Sequence, residues 1–196
     1  MSDSTSLNLR LTVYAALFTA LIIIGGYLSI PLGAVPIVLA DFFVMLAGLF
    51  LGKKWGFASA VLYVFLGALG LPVYAGGKAG LAVLFGPTGG FLFGYIALAF
   101  MVGLIASQKR PSVLRNLTAL ITGNIFLYAF GIPWLKTVLN LSWEAALAAG
   151  LTPFIPGAVI KIIVAAAIAQ AFLPRFKKSL AGYVEQAEEK AEQDQG

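Results

Sequence analysis

The chain has 196 residues, of which 60% are hydrophobic and 11% charged, with a formal charge of +5 and a mean hydropathy of +0.95. That balance is far more apolar than a soluble domain of ordinary usage and marks an integral membrane protein. Cysteine and histidine are both absent, which excludes disulfides, thiol nucleophiles, imidazole bases and the usual zinc ligands, and with them most enzyme classes.

Apolar segments run at residues 11–30, 35–51, 55–71, 87–106, 113–133 and 152–173, each long enough or nearly so to cross a bilayer as a helix. The expected fold is therefore an all-α integral membrane protein with six transmembrane helices. Arg10 before the first segment would also suit the start of a signal peptide, but the segment is long, is followed by no small-residue cleavage pattern, and leads into further spans. Within it, Ala16 and Ala20 set small residues four apart, which lets another helix approach closely. Pro31, Gly33 and Pro36 crowd the entrance of the short second segment. Asp41 lies near its outer end, where three placements suit it: facing a cavity, pairing with Lys78 or Lys161, or sitting among the lipid headgroups. Gly48 to Gly52 followed by Lys53 and Lys54 superficially resembles a phosphate loop, but the spacing is one short and no Ser or Thr follows, so no ATPase is encoded.

Between the third and fourth segments the chain turns irregular and rich in glycine, at Gly76, Gly77, Gly80, Gly86, Gly89 and Gly90. Glycine permits sharp turns and close approach of main-chain donors to a ligand, and such backbone survives in hydrocarbon only where protein or a cavity covers it. A binding site is expected here. Lys78 reads either as a solvated loop charge or as a clamp for a carboxylate on a lid, and Tyr74 as a group that stacks on a ring ligand or as an interface anchor. Thr88 lies inside the Gly86 to Gly90 run. In the fifth segment Asn124 and Tyr128 are one helical turn apart and face one way, lining a cavity or bonding a neighbouring helix. Lys161, about nine residues into the last span, needs a ligand, a partner or a path to the surface along its own stem. Beyond residue 173 the chain becomes basic and then acidic, a solvated helix or disorder, so the expected division is a membrane domain at 1–175 and a polar tail at 176–196.

Arg10, Lys53, Lys54, Lys109, Arg110, Arg115, Arg175, Lys177 and Lys178 all fall on one side of this topology, while the alternate connections hold Lys78 and Lys136. The positive-inside rule then places both termini in the cytoplasm. Basic residues at the ends of apolar segments act as membrane anchors, which speaks against a nucleic-acid partner. An intramembrane enzyme would need a paired acid and base or a metal cluster, and a pore would need polar residues repeating along one span; the sequence offers neither.

The run Leu-Gly-Leu-Pro-Val-Tyr-Ala-Gly-Gly at 69–77 and the run Gly-Pro-Thr-Gly-Gly-Phe at 86–91 resemble the BioY family, the biotin-binding S components of energy-coupling factor (ECF) vitamin transporters. A second resemblance lies at Pro156-Gly157, where the family has an acidic residue and, three positions later, a lysine. Here the lysine is Lys161 and the acidic position holds Ala158. Asp41 is another departure, standing where the family tends to have uncharged polar residues. The resemblance implies a bacterial plasma-membrane protein that captures biotin from outside and needs no cofactor or metal. It implies assembly with the ECF transmembrane subunit and two ATPases, docked through Ala16 and Ala20, which match the family's AxxxA motif. Ligand contacts are expected from Lys161, Tyr74, Lys78, Gly76, Gly77, Asp41, Asn124, Tyr128 and Thr88. Ala158 and Asp41 also motivate an alternative ligand, lipoate or another small carboxylate-bearing, vitamin-like molecule.

Overall fold

In the computed structural model residues 2–106 and 112–193 are described, with the side chains of 7–106, 112–179 and 182. A chain this apolar must close its backbone hydrogen bonds within its own elements, because hydrocarbon offers no partners. It runs through α1 (Ser2–Tyr27), a two-stranded ribbon of β1 (Ser29–Ile30) and β2 (Ile37–Val38), α2 (Ala40–Ala68), a 3₁₀ turn at Ala75–Gly77, the single turn α3 (Leu81–Leu84), α4 (Gly89–Ala106), α5 (Val113–Val138), short α6 (Trp143–Gly150) and α7 (Ile155–Gln193).

Among the described residues, five helices are long and apolar enough to cross a membrane. The second, α2, folds back on itself. Gly52 has φ 72° and ψ −175°, a backbone conformation essentially reserved for glycine. A Cβ added at Gly56 would lie 2.9 Å from the Ala47 carbonyl oxygen, whereas a straight helix separates residues that far apart in sequence by roughly 13 Å. Contacts with α1 follow both arms: Phe18 meets Phe50 and Gly25 meets Phe43 in the antiparallel sense, while Thr19 meets Ser59 and Gly26 meets Tyr63 in the parallel sense. The expected second and third spans are thus the arms 40–51 and 53–68 of one helical hairpin, and the described residues form six rods.

The central rod is α4. Gly48 of α2 lets the Ala99 carbonyl come within 2.8 Å of where its Cβ would stand, and Gly94 does the same for the Leu127 carbonyl of α5. Sixty-one per cent of the α4 span is buried, against 17% for α1 and 17% for α7, which are the peripheral rods. Ala165 and Ala169 of α7 face inward and are buried.

Three boundaries differ from the sequence expectation. The fifth rod runs through Pro133 to Val138, and the sixth starts at Ile155 rather than 152. Between them lies the unforeseen α6, whose start is fixed by Ser142, its hydroxyl oxygen accepting from the Ala145 N–H at 3.1 Å. The helix α7 continues beyond residue 176 to Gln193. Arg10, Lys53, Lys54, Arg115, Arg175, Lys177 and Lys178 occupy the end of the bundle where α1 and α5 begin and α2 reverses, and Lys109 and Arg110 lie outside the described residues. The opposite end, bearing the ribbon, the glycine-rich loop, α3 and α6, therefore faces outward.

Candidate functional site

Near the outer ends of the rods one cavity of about 80 Å³ opens between α2, α4, α5 and α7, beneath the ribbon and the glycine-rich loop. That is several times the roughly 10–15 Å³ a single water requires. Charge at this depth needs compensation, and the cavity supplies it in one place.

Asp41 occupies the first turn of α2, where the positive end of the helix dipole favours a carboxylate. Lys161 reaches it from the second turn of α7. Its Nζ lies 2.7 Å from Oδ1 and 2.7 Å from Oδ2, and donates a third hydrogen bond of 2.9 Å to the Val38 carbonyl on β2. The two side chains retain 13% and 8% exposure, so each charge is balanced by the other rather than by solvent. Of the three placements open to Asp41, the one found is the cavity-facing pair with Lys161, and Lys161 does not snorkel to the surface.

Aromatic side chains form the walls. The rings of Tyr63 and Tyr74 meet edge-on with centroids 5.7 Å apart, and Tyr63 lies 6.3 Å from Tyr95. Tyr74 is fully buried, its hydroxyl donating to the Val64 carbonyl at 2.6 Å, and its ring fills the space a Cβ at Gly67 would claim. Phe91, Phe154, Leu92 and Leu127 complete an apolar lining, and Tyr128 and Thr88 add hydroxyls.

The glycine-rich loop covers the outer side in a defined shape. The Tyr74 N–H donates to Lys78 O at 2.9 Å, Gly77 N–H to Tyr74 O at 2.9 Å and Gly80 N–H to Gly67 O at 2.7 Å. Gly76 and Gly77, with φ of 66° and 77°, make this turn possible. The Tyr27 hydroxyl donates to the Pro72 carbonyl and the Tyr27 ring lies against Gly77, which ties the outer end of α1 to the loop.

Of the residues singled out in the sequence, Lys161, Asp41, Tyr74, Lys78, Thr88 and Tyr128 line this one cavity. Gly76 and Gly77 shape the loop without lining it. Asn124, one turn before Tyr128 on α5, is buried in the helix packing, its Nδ2 donating to Leu120 O at 2.9 Å and touching Met45 Sδ at 3.2 Å. The sequence reading missed Tyr63 and Tyr95, which line the cavity from α2 and α4. The available signal was a phenol inside an apolar span, which by itself does not tell a cavity from a packed interface. Ala16 and Ala20 are exposed on the outer surface of α1, whereas Ala15, Thr19 and Ile22 are buried, with the Thr19 hydroxyl donating to Ser59 O at 3.1 Å.

Comparison with known proteins gives a consistent pattern. Residues 1–178 match the family model described as the BioY family. The chain is similar to the biotin transporter BioY of Thermotoga maritima, 45% identical over 161 residues that cover 82% of this chain and 94% of that protein. It is also similar to the biotin transporter BioY of Rhizobium etli, 40% identical over 178 residues covering 85% and 95% of the two chains. Its fold resembles the crystal structure of the S-component for biotin from an ECF-type ABC transporter, with a TM-score of 0.76, 34% identity, and coverage of 84% of this chain and 90% of that one.

Proposed function

The chain belongs to the BioY family, and from that premise we propose that it is the substrate-binding S component of an ECF-type vitamin uptake transporter, capturing biotin from outside. It is a multi-pass cell-membrane protein and a transport subunit rather than an enzyme. The observation that carries the reading is the buried Asp41–Lys161 pair beside an outward cavity with aromatic walls. Such a site suits a compact ligand with a polar ring, an apolar middle and a charged end. In this reading the pair forms the polar wall and Tyr128 and Thr88 flank the ligand. Lys78, exposed at the loop, meets its carboxylate, and the turn from Tyr74 to Gly77 closes over it. Asn124 acts from behind by holding α5 in place. The membrane part at 1–175 holds the ligand, and the tail at 176–196 lies outside that task.

No phosphate-binding motif is present in the chain, so the energy for release inward comes from two ATPase subunits acting through the ECF transmembrane subunit. Docking on that subunit falls to the exposed face of α1 at Ala16 and Ala20, where small side chains let a partner helix come close. Relatives that cover most of this chain are named for biotin, which favours biotin over lipoate. Calorimetric titration of both ligands into detergent-purified protein from biotin-depleted cells tests this. One-to-one binding of biotin with no response to lipoate is expected, and the reverse preference would refute the assignment.

A further inference from the structure

The cavity is smaller than its task. Clefts that hold small molecules measure roughly 300–1,000 Å³, and this one measures about 80 Å³. A wall must therefore give way before a ligand enters. The rods are poor candidates, because Gly48 seats α2 against the Ala99 carbonyl and Gly94 seats α4 against the Leu127 carbonyl, at distances that leave no slack. The ribbon is tied as well, with Leu39 N–H donating to Gly25 O at 3.0 Å and the Val38 carbonyl held by Lys161. The loop after α2 is attached differently, and its Tyr74, Ala75 and Lys78 line the cavity.

Its base is closed by Gly80 N–H on Gly67 O, and Tyr74 is a fixed foot, fully buried and bonded to Val64 O. The tip at residues 75–78 closes its hydrogen bonds within the loop, through Tyr74 N–H to Lys78 O and Gly77 N–H to Tyr74 O. Gly76 and Gly77, both at positive φ, let that tip swing about the foot. Among the described residues, one side chain hydrogen-bonds the loop from another helix, that of Tyr27 at the end of α1. Its hydroxyl donates to Pro72 O on one side of the foot, and its ring lies 3.3 Å from where a Cβ at Gly77 would stand on the other. Tyr27 is 51% exposed, so this bond can break and re-form without opening the packed interior.

We propose, resting on the biotin reading above, that Tyr27 is the latch of this loop. It holds residues 75–78 across the mouth and sets the rates at which ligand enters and leaves, without touching the ligand. The same bond closes the loop over an empty site and over an occupied one. Entry is slowed by the small fraction of molecules whose loop is open, and exit waits for the same opening. A residue that merely builds the wall acts otherwise, since its loss loosens the bound state and quickens exit alone.

The test measures association and dissociation of radiolabelled biotin separately, on the full-length wild type and on Tyr27→Phe, both purified in detergent from biotin-depleted cells. The substitution removes the hydroxyl and keeps the ring, and thermal unfolding of the ligand-free protein checks the fold. Both rate constants are expected to rise by about three- to tenfold, the factor one neutral hydrogen bond is worth, while Kd stays within about twofold. Should Tyr27→Phe not fold, the same two rates on Tyr27→Leu decide, with rises at least as large expected. Faster dissociation with unchanged association makes Tyr27 a wall and not a latch, and rates equal to wild type remove it from the gate. Either result overturns the assignment and leaves biotin binding standing. A wild type that binds no biotin overturns this assignment together with the reading beneath it.

Discussion

Gly67 shows how a residue outside the cavity sets its shape. The Tyr74 ring occupies the place of the missing Cβ, and the same ring lines the cavity while its hydroxyl bonds to Val64 O. Gly67→Ala should push the ring aside, break that bond and lower stability by about 1–3 kcal/mol, the usual range for overfilling a packed interior. Thermal unfolding in detergent measures the first effect and a weaker biotin affinity the second; unchanged values for both would show that the ring yields freely. At this scale the sequence was legible where a residue contradicts its surroundings. Lys161 stands out because a cation in an apolar run demands a reason. Asp41 stands out for the same reason, but the choice among its placements was not legible, since it is 120 residues away from Lys161 and only packing of α2 against α7 brings them together. Tyr63 and Tyr95 were hidden for a related reason, because the direction of a phenol within a span depends on neighbouring rods.

The hairpin of α2 is the element on which the site's position depends, since its first arm carries Asp41 and its second carries Tyr63. Its reversal rests on Gly52, whose conformation strains any side chain. Gly52→Ala should therefore destabilise the protein by about 1–3 kcal/mol. Gly157→Ala on α7, where a Cβ would meet nothing within 4 Å, should be neutral or stabilising by up to about 1 kcal/mol through helix propensity. The comparison is read as opposite shifts in Tm, and equal shifts would remove the special role of Gly52. Apolar runs disclosed the rods because hydrocarbon permits little else. They did not disclose α6, which is too short to span and stands at the outer end, nor the passage of α5 through Pro133. Neighbouring helices in a bundle absorb a proline that would end a helix in water.

For the molecule as a whole, the exposed side of α1 makes a prediction about assembly that binding measurements cannot. Ala16→Leu with Ala20→Leu should leave biotin affinity within about twofold of wild type, because both positions face away from the cavity, yet block uptake in cells by filling the groove a partner helix needs. Normal radiolabelled biotin uptake would reject that face as the docking surface. The paired charges have a last consequence, one of voltage. An unpaired ion carried across a membrane exchanges about 2.3 kcal/mol with the field for every 100 mV. A carboxylate and an ammonium 2.7 Å apart travel as a neutral unit. The resting potential thus does no net work on this pair, and the electrical sensitivity of the site resides instead in Lys78 and in the ligand carboxylate that this lysine meets.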